Sequence, residues 1–362
     1  MEDKKNMKKF LMIAGVILVS SLGITSVVTG VYSNKKSVKS YDKIDKFVMS
    51  QEEKAQKELE KEQDFENVEV GDGKMVVSTK HISDAFLSGD TKGLSEEDLE
   101  TLEEAKKVYA SIIKDGMSDY DKEKAIYDWM FDNIHSVNNE DFSSDEPSDT
   151  IAGVLKGKIT DEVASAMTFR LLANMAGLEC MVAHQRDEFY YTLWNICKLD
   201  DNCWYYVNVY SDLDYVKYWS FNCDKNESEY NRGEKDFPEA NGSKYCFSIK
   251  EAKNIKEPEE IIKKLKKACD NKEKDDFQLY FSMSSEDMKK NQILEYLLTG
   301  IDSRVSDYNK EAYFKYSTFE NDGTMYIKTS CYGFKSDFDT SKFNINYGDI
   351  DKVLDDKIGT LQ

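Results

Sequence analysis

Apolar residues recur at helical spacing over Ser95–Gly116, where Leu99, Leu102, Ala105, Val108, Tyr109 and Ile112 share one face. Ser95 can cap this helix, with Asp98 three residues on as a variant capping box. A second helix is predicted over Ser118–Asn133, with Tyr120, Ala125, Ile126, Trp129 and Met130 as its apolar face. A third runs over Asp161–Ala176, buries Val163, Ala166, Met167, Phe169, Leu171 and Leu172, and stops at Gly177. The pattern then changes to strands, over Leu178–His184, Tyr190–Lys198 and Trp204–Tyr210. Ahead of the first helix, Lys74–His81 reads as a short strand and Ile82–Ser88 as a helical turn. Tyr215–Pro238 is loop-rich.

A change of style near Cys246–Ser248 marks a domain boundary. Beyond it, Glu257–Cys269 is a Lys-rich helix with Pro258 in its first turn. Phe277–Met283 alternates as a strand, and Ser284–Ser306 is helical through Met288, Ile293, Leu294, Leu297 and Leu298. Ala312–Phe319 and Thr324–Tyr332 are strands about the hairpin signal E-N-D-G-T. These elements make a small α+β module with no catalytic spacing in it.

The N-terminus follows a different rule. Phe10–Tyr32 carries no charge and is long enough for a bilayer core, which needs about 20 apolar helical residues. A cleaved signal peptide has a shorter apolar region and a small-x-small exit; here the exit V-T-G-V-Y-S fits either, the run is long, and an uncleaved signal anchor is favoured over a cleaved peptide. Lys4, Lys5, Lys8 and Lys9 favour a cytoplasmic N-terminus, against the weaker counter-signal of Lys35, Lys36 and Lys39. The expected organisation is a tail (1–9), a transmembrane anchor (10–32), a charged stalk (33–72), a main domain (73–247) and a C-terminal α+β module (248–362). The large domains then lie outside the cytoplasm, on a single-pass membrane protein. The stalk lacks the sustained apolar seam of a coiled coil.

Charge narrows the partners. The chain of 362 residues carries 69 Asp+Glu against 49 Lys+Arg, a net of −20, which argues against binding a phosphate backbone. Seven Cys without C-x-x-C spacing signal neither a disulfide framework nor a zinc site, and three His exclude a His-rich metal centre. The acidic stretch D-F-S-S-D-E-P-S-D at Asp141–Asp149 has oxygen ligands but lacks the EF-hand spacing and glycine, so it reads as a solvated loop. No cofactor or metal is implied.

Several pieces from Ser83 to Ala240 occur in a telling order. They are M-S-D-Y-D-K-E-K-A-I-Y-D-W-M-F-D-N-I (Met117–Ile134), T-I-A-G-V-L (Thr150–Leu155), A-x-x-F (Ala166–Phe169), A-G-L-E-C (Ala176–Cys180), L-W-N-I-C-K-L-D (Leu193–Asp200) and W-Y-Y-V-N (Trp204–Asn208). Together they resemble the bacterial transglutaminase-like superfamily, whose corresponding forms include A-I-H-D-W, T-A-Y-G-A-L, H-A-W-N-x-V-K-L-D and W-Y-H-V-D. Tyr127 stands where the common form has His. The resemblance implies an α+β fold with a papain-like core, followed by the small C-terminal module.

It also implies a cysteine chemistry whose residues are absent. In the family a Cys at a helix N-terminus attacks a carboxamide, a His moves the proton, and an Asp or Asn orients the His. Anchoring on the flanking residues puts Glu162 at the Cys position, Thr192 at the His position and Asn208 at the Asp position. A carboxylate is a poor nucleophile towards an amide, and a threonine has no useful proton affinity near neutral pH. Glu162 and Asp161 at a helix N-terminus are favourable charge–dipole placements. Cys180, Cys197, Cys203 and His184 read as core or loop residues, not substitutes. The expectation is a pseudo-enzyme whose degenerate cleft, with Asp161, Trp194 and Asn195 as lining candidates, binds a peptide, a cell-wall fragment or a protein. The alternative is an active hydrolase, protease or transglutaminase-like enzyme of altered mechanism using Glu162. A third possibility is that the C-terminal module binds the partner.

Overall fold

The computed structural model describes residues 68–71, 74–186, 191–214, 216–227, 237–257, 259–270, 277–290, 298 and 313–332. The expected tail and membrane anchor, most of the stalk, and the helix expected after Lys290 (Leu298 apart) lie outside these residues. No helix among the described residues is long and apolar enough to cross a membrane. All of the described residues belong to one compact unit, Glu66–Gln362.

The fold is mixed α+β. It opens with a two-stranded antiparallel ribbon, β1 (Val68–Gly71) and β2 (Lys74–Val76). β1 occupies residues expected in the stalk, and β2 ends five residues short of the strand expected over Lys74–His81. The reason is that the chain turns helical at Lys80: α1 (Lys80–Ser88) buries Ile82, Ser83 and Ala85. Arg170 reaches back to bond Thr79 Oγ1 at 3.0 Å, which holds this junction on the central helix.

Helices α2 (Glu96–Ile112) and α3 (Asp119–Asn133) follow the expected periodicity. The capping box at Ser95 and Asp98 is complete, and Ser118 caps α3 by accepting from Asp121 N. Leu99, expected in the core, is instead on the surface at 38% exposure, while Leu102 and Ala105 are fully buried. Leu99 sits at the edge of the stripe, where the core narrows to a one-sided contact. Trp129 is half-buried and carries the Lys158 ammonium over its ring at 4.6 Å.

Two short strands, β3 (His135–Ser136) and β4 (Ile159–Thr160), pair in parallel on either side of α4 (Ile151–Gly157). They deliver the chain to α5 (Glu162–Met175), the central helix, in which all but Glu162 and Asn174 are buried. Such a helix needs apolar partners all round. It finds them in α1, α3, α4 and one face of an antiparallel sheet.

That sheet is β5 (Glu179–Arg186), β6 (Tyr191–Lys198) and β7 (Trp204–Val207), in that order. Its pleat splits the side chains between two cores. Cys180, Val182, Leu193, Cys197, Tyr205 and Val207 join the helical core. Met181, Ala183, Trp194, Ile196, Trp204 and Tyr206 form a second cluster with Cys223 and Ala240. The third strand stops three residues before its expected end at Tyr210. Asn208 leaves the strand and caps α6 (Val209–Asp212), its side chain accepting from Ser211 N.

The expected boundary at Cys246–Ser248 is buried and opens α7 (Phe247–Glu251). Next come β8 (Lys253–Asn254), α8 (Glu259–Asp270), β9 (Phe277–Ser284), α9 (Ser285–Lys290), β10 (Tyr313–Asn321) and β11 (Thr324–Tyr332). The second sheet has the order β10-β11-β9-β8, with β8 parallel to β9 and the rest antiparallel. Asp322 and Gly323 both take positive φ in the β10–β11 turn, as a two-residue hairpin requires. Lys328 joins this sheet to the rest: its ammonium bonds Glu227 and the Trp219 carbonyl, each at 2.6 Å, and the pair is buried.

Candidate functional site

The N-terminus of α5 is placed by β4, whose residues pair with β3 as Ile159 with His135 and Thr160 with Ser136. Asp161 caps the helix, its Oδ1 accepting from Ala164 N at 2.8 Å. Glu162 is therefore the first helical residue, half-buried, in the positive end of the helix dipole. Its Oε1 accepts the backbone N–H of Leu193 at 2.9 Å.

Asn208 approaches the same residue from the other end of the sheet. Its Nδ2 donates to the Leu193 carbonyl at 2.9 Å, its Oδ1 accepts from Ser211 N at 3.1 Å, and its N–H bonds the Ser220 carbonyl at 2.9 Å. The reason lies in the strand lengths. β7 ends at Val207, opposite Asn195, so Leu193 extends two residues past its neighbour. Its backbone groups would lack ladder partners, and two side chains take them instead.

Thr192 precedes Leu193, but the pleat directs its side chain to the opposite face, and it is half-buried. Two of the three positions thus meet at the backbone of one residue, and the third is its neighbour in sequence with its side chain on the other face. Of the lining candidates, Asp161 is a helix cap. Trp194 and Asn195 are each only 2% exposed, so they belong to the interior and not to an open cleft. Asn195 ties strand to helix, donating to the carbonyls of Ala166 at 2.9 Å and Met181 at 3.2 Å.

A polar layer lies behind this point. Asp212, at the end of α6, accepts from Ser220 N with both oxygens, at 3.1 and 2.8 Å, and from the Tyr127 hydroxyl. Tyr127 also accepts from Tyr218 N at 2.7 Å. Burial outweighs these bonds and pushes the Asp212 carboxyl up to about 6. Glu123 is more extreme. It is fully buried, its Oε2 accepts from the Asn222 amide at 2.8 Å, its Oε1 has no hydrogen-bond partner, and desolvation pushes it up to about 8. Sequence patterns gave no warning of either group, since Glu123 and Asp212 each lie close to other charged residues in the primary structure.

A further pair flanks the β3–β4 entry. His135 Nδ1 lies 2.7 Å from Asp214 Oδ1, while Asp214 Oδ2 accepts from Ser136 N at 2.8 Å. Phe142, from the acidic loop, stacks on the imidazole with centroids 3.4 Å apart. Among the described residues no group of three or more His, Cys, Asp and Glu has the arrangement of a metal site.

Chemically, the constellation around Leu193 is a clamp. A carboxylate and a carboxamide hold the N–H and C=O of one residue, and the pair has no thiol or imidazole in it. No protein-family profile matches the sequence, and no curated protein matches it either.

Proposed function

We propose that residues 73–247 are a transglutaminase-like module without cysteine-enzyme chemistry, held outside the cytoplasm by an anchor at 10–32. On this reading it is a binding or scaffolding module for a peptide, a cell-wall fragment or a protein. The observation that carries the reading is the double hold on Leu193. The residues aligned with the nucleophile and the orienting acid, Glu162 and Asn208, are engaged with the backbone of one strand residue. A helix N-terminus facing the end of a sheet is the geometry the resemblance requires, and it supports the assignment of these positions.

The partial exposure of Glu162 favours one competing reading, a hydrolase in which that carboxylate acts as general base. Wild type, Glu162→Ala and a triple variant (Glu162→Cys, Thr192→His, Asn208→Asp) separate the two. Each is assayed for ammonia release from glutamine peptides and for cleavage of peptides and cell-wall fragments. The expected result is no turnover by wild type. Turnover that disappears in Glu162→Ala establishes the hydrolase and removes the pseudo-enzyme.

A further inference from the structure

Register places two buried cysteines side by side. Leu193 directs both its N–H and its C=O away from β5, to Glu162 and Asn208. Its cross-strand partner is His184, so this pair is a non-hydrogen-bonded one. Antiparallel pairs alternate, so every second pair has the same character. Asn195 with Val182 is the next, and Cys197 with Cys180 the one after. Consistent with that, Cys180 N bonds the Asn174 side chain at 3.1 Å and not β6.

In a non-hydrogen-bonded pair the Cα atoms lie about 4.5 Å apart, inside the range of about 4.4 to 6.8 Å that a disulfide spans. Both side chains point to the same core, and the two are 2% and 0% exposed. We propose that Cys180 and Cys197 are a disulfide site, oxidised by a small-molecule disulfide while the chain folds.

The step balances by thiol–disulfide exchange. One cysteine thiolate attacks the reagent, forming a mixed disulfide and expelling one small thiolate. The second cysteine thiolate then attacks the protein-side sulfur and expels the other. Two protein S–H bonds are lost and one S–S bond forms. The two electrons and two protons end on the two released thiols. Burial makes folding the time of reaction, because the sulfurs are closed to solvent afterwards. The bond would staple the inner end of the β5–β6 hairpin, whose outer end carries Thr192 and Leu193. The geometric argument is independent of the proposed location and of the pseudo-enzyme reading.

Trypsin isolates the two sulfurs, on peptides 171–186 and 187–198. The full chain is unfolded with reductant, refolded in mixed reduced and oxidised glutathione, alkylated with iodoacetamide in denaturant and mapped by mass spectrometry. The expected product is the 171–186/187–198 pair, lighter than the sum of the peptides by two hydrogen atoms. Protein secreted into an oxidising periplasm and never unfolded gives the same map by a second route. Both peptides alkylated in both preparations, or Cys197 linked to any cysteine other than Cys180, overturns the proposal.

Discussion

Asn208 holds Leu193 by its carbonyl, amide nitrogen to oxygen, at 2.9 Å. The same side chain caps α6 through its oxygen. One residue therefore ends a strand, starts a helix and holds the carbonyl of the same residue whose N–H Glu162 accepts. The orientation of the amide is fixed by this double duty, since only the nitrogen can donate to a carbonyl and only the oxygen can accept from an N–H.

Replacing Asn208 by Ala removes both bonds at a buried position and should destabilise the fold by about 2–3 kcal/mol. Asn208→Asp keeps the cap acceptor but places carboxylate oxygen against the Leu193 carbonyl. It should cost at least as much near neutral pH. Urea denaturation of the three proteins measures this, and an Asp variant as stable as wild type would contradict the hold on Leu193.

Glu162 is graded differently because it is partly exposed. Glu162→Gln retains an acceptor for Leu193 N–H and loses the charge at the helix N-terminus, for about 0.5 kcal/mol. Glu162→Ala leaves that N–H without its carboxylate and should cost about 1–2 kcal/mol. Amide hydrogen exchange at Leu193 supplies the local readout, with protection lost in the Ala variant and kept in the Gln variant.

Stability should fall as the solution turns alkaline. Burial pushes Glu123 from its ordinary 4.5 to about 8, so between these pH values the folded chain keeps a proton that the unfolded chain has released. The Glu123 contribution to folding stability is then full below pH 4.5 and declines towards pH 8, by up to about 1.4 kcal/mol per pH unit. Asp212, pushed from 3.8 to about 6, adds a slope of the same sign over its own lower window. Glu123→Gln should flatten the upper part of the profile and leave the lower part. A stability profile rising from pH 5 to 8 in wild type would show the sign to be wrong.

Lys328 and Glu227 test whether the second sheet and the rest of the fold share one folding unit. Their side chains are 4% and 1% exposed, and Ser248 and Cys246 also donate to the carboxylate. Lys328→Met leaves a buried carboxylate without its cation and should cost about 3–5 kcal/mol. Pairing it with Glu227→Gln should restore much of the loss. A single unfolding transition that moves as a whole in Lys328→Met is expected; a separate early transition confined to the second sheet is the contrary result.

Local signals were enough for much of this architecture. The 3.6-residue stripe located α2, α3 and α5, and the cap at Ser95 set the start of α2. The D-G dipeptide placed the β10–β11 turn. These features depend on neighbours within a few residues, so the primary structure contains them in full. Positions 162, 192 and 208 were singled out in sequence only through the resemblance, by anchors on flanking residues.

What the side chains at those positions do was decided elsewhere. The early end of β7 leaves Leu193 without ladder partners, and that vacancy, created by strand pairing, turns Glu162 and Asn208 into a clamp. The burial of Trp194, Asn195, Glu123 and Asp212, and the meeting of Cys180 with Cys197, depend on which strands and helices pack together. A sequence lists hydrophobic positions and possible hydrogen-bonding groups. Only the packed chain determines which of those groups lose water, and therefore which must find a partner within the protein.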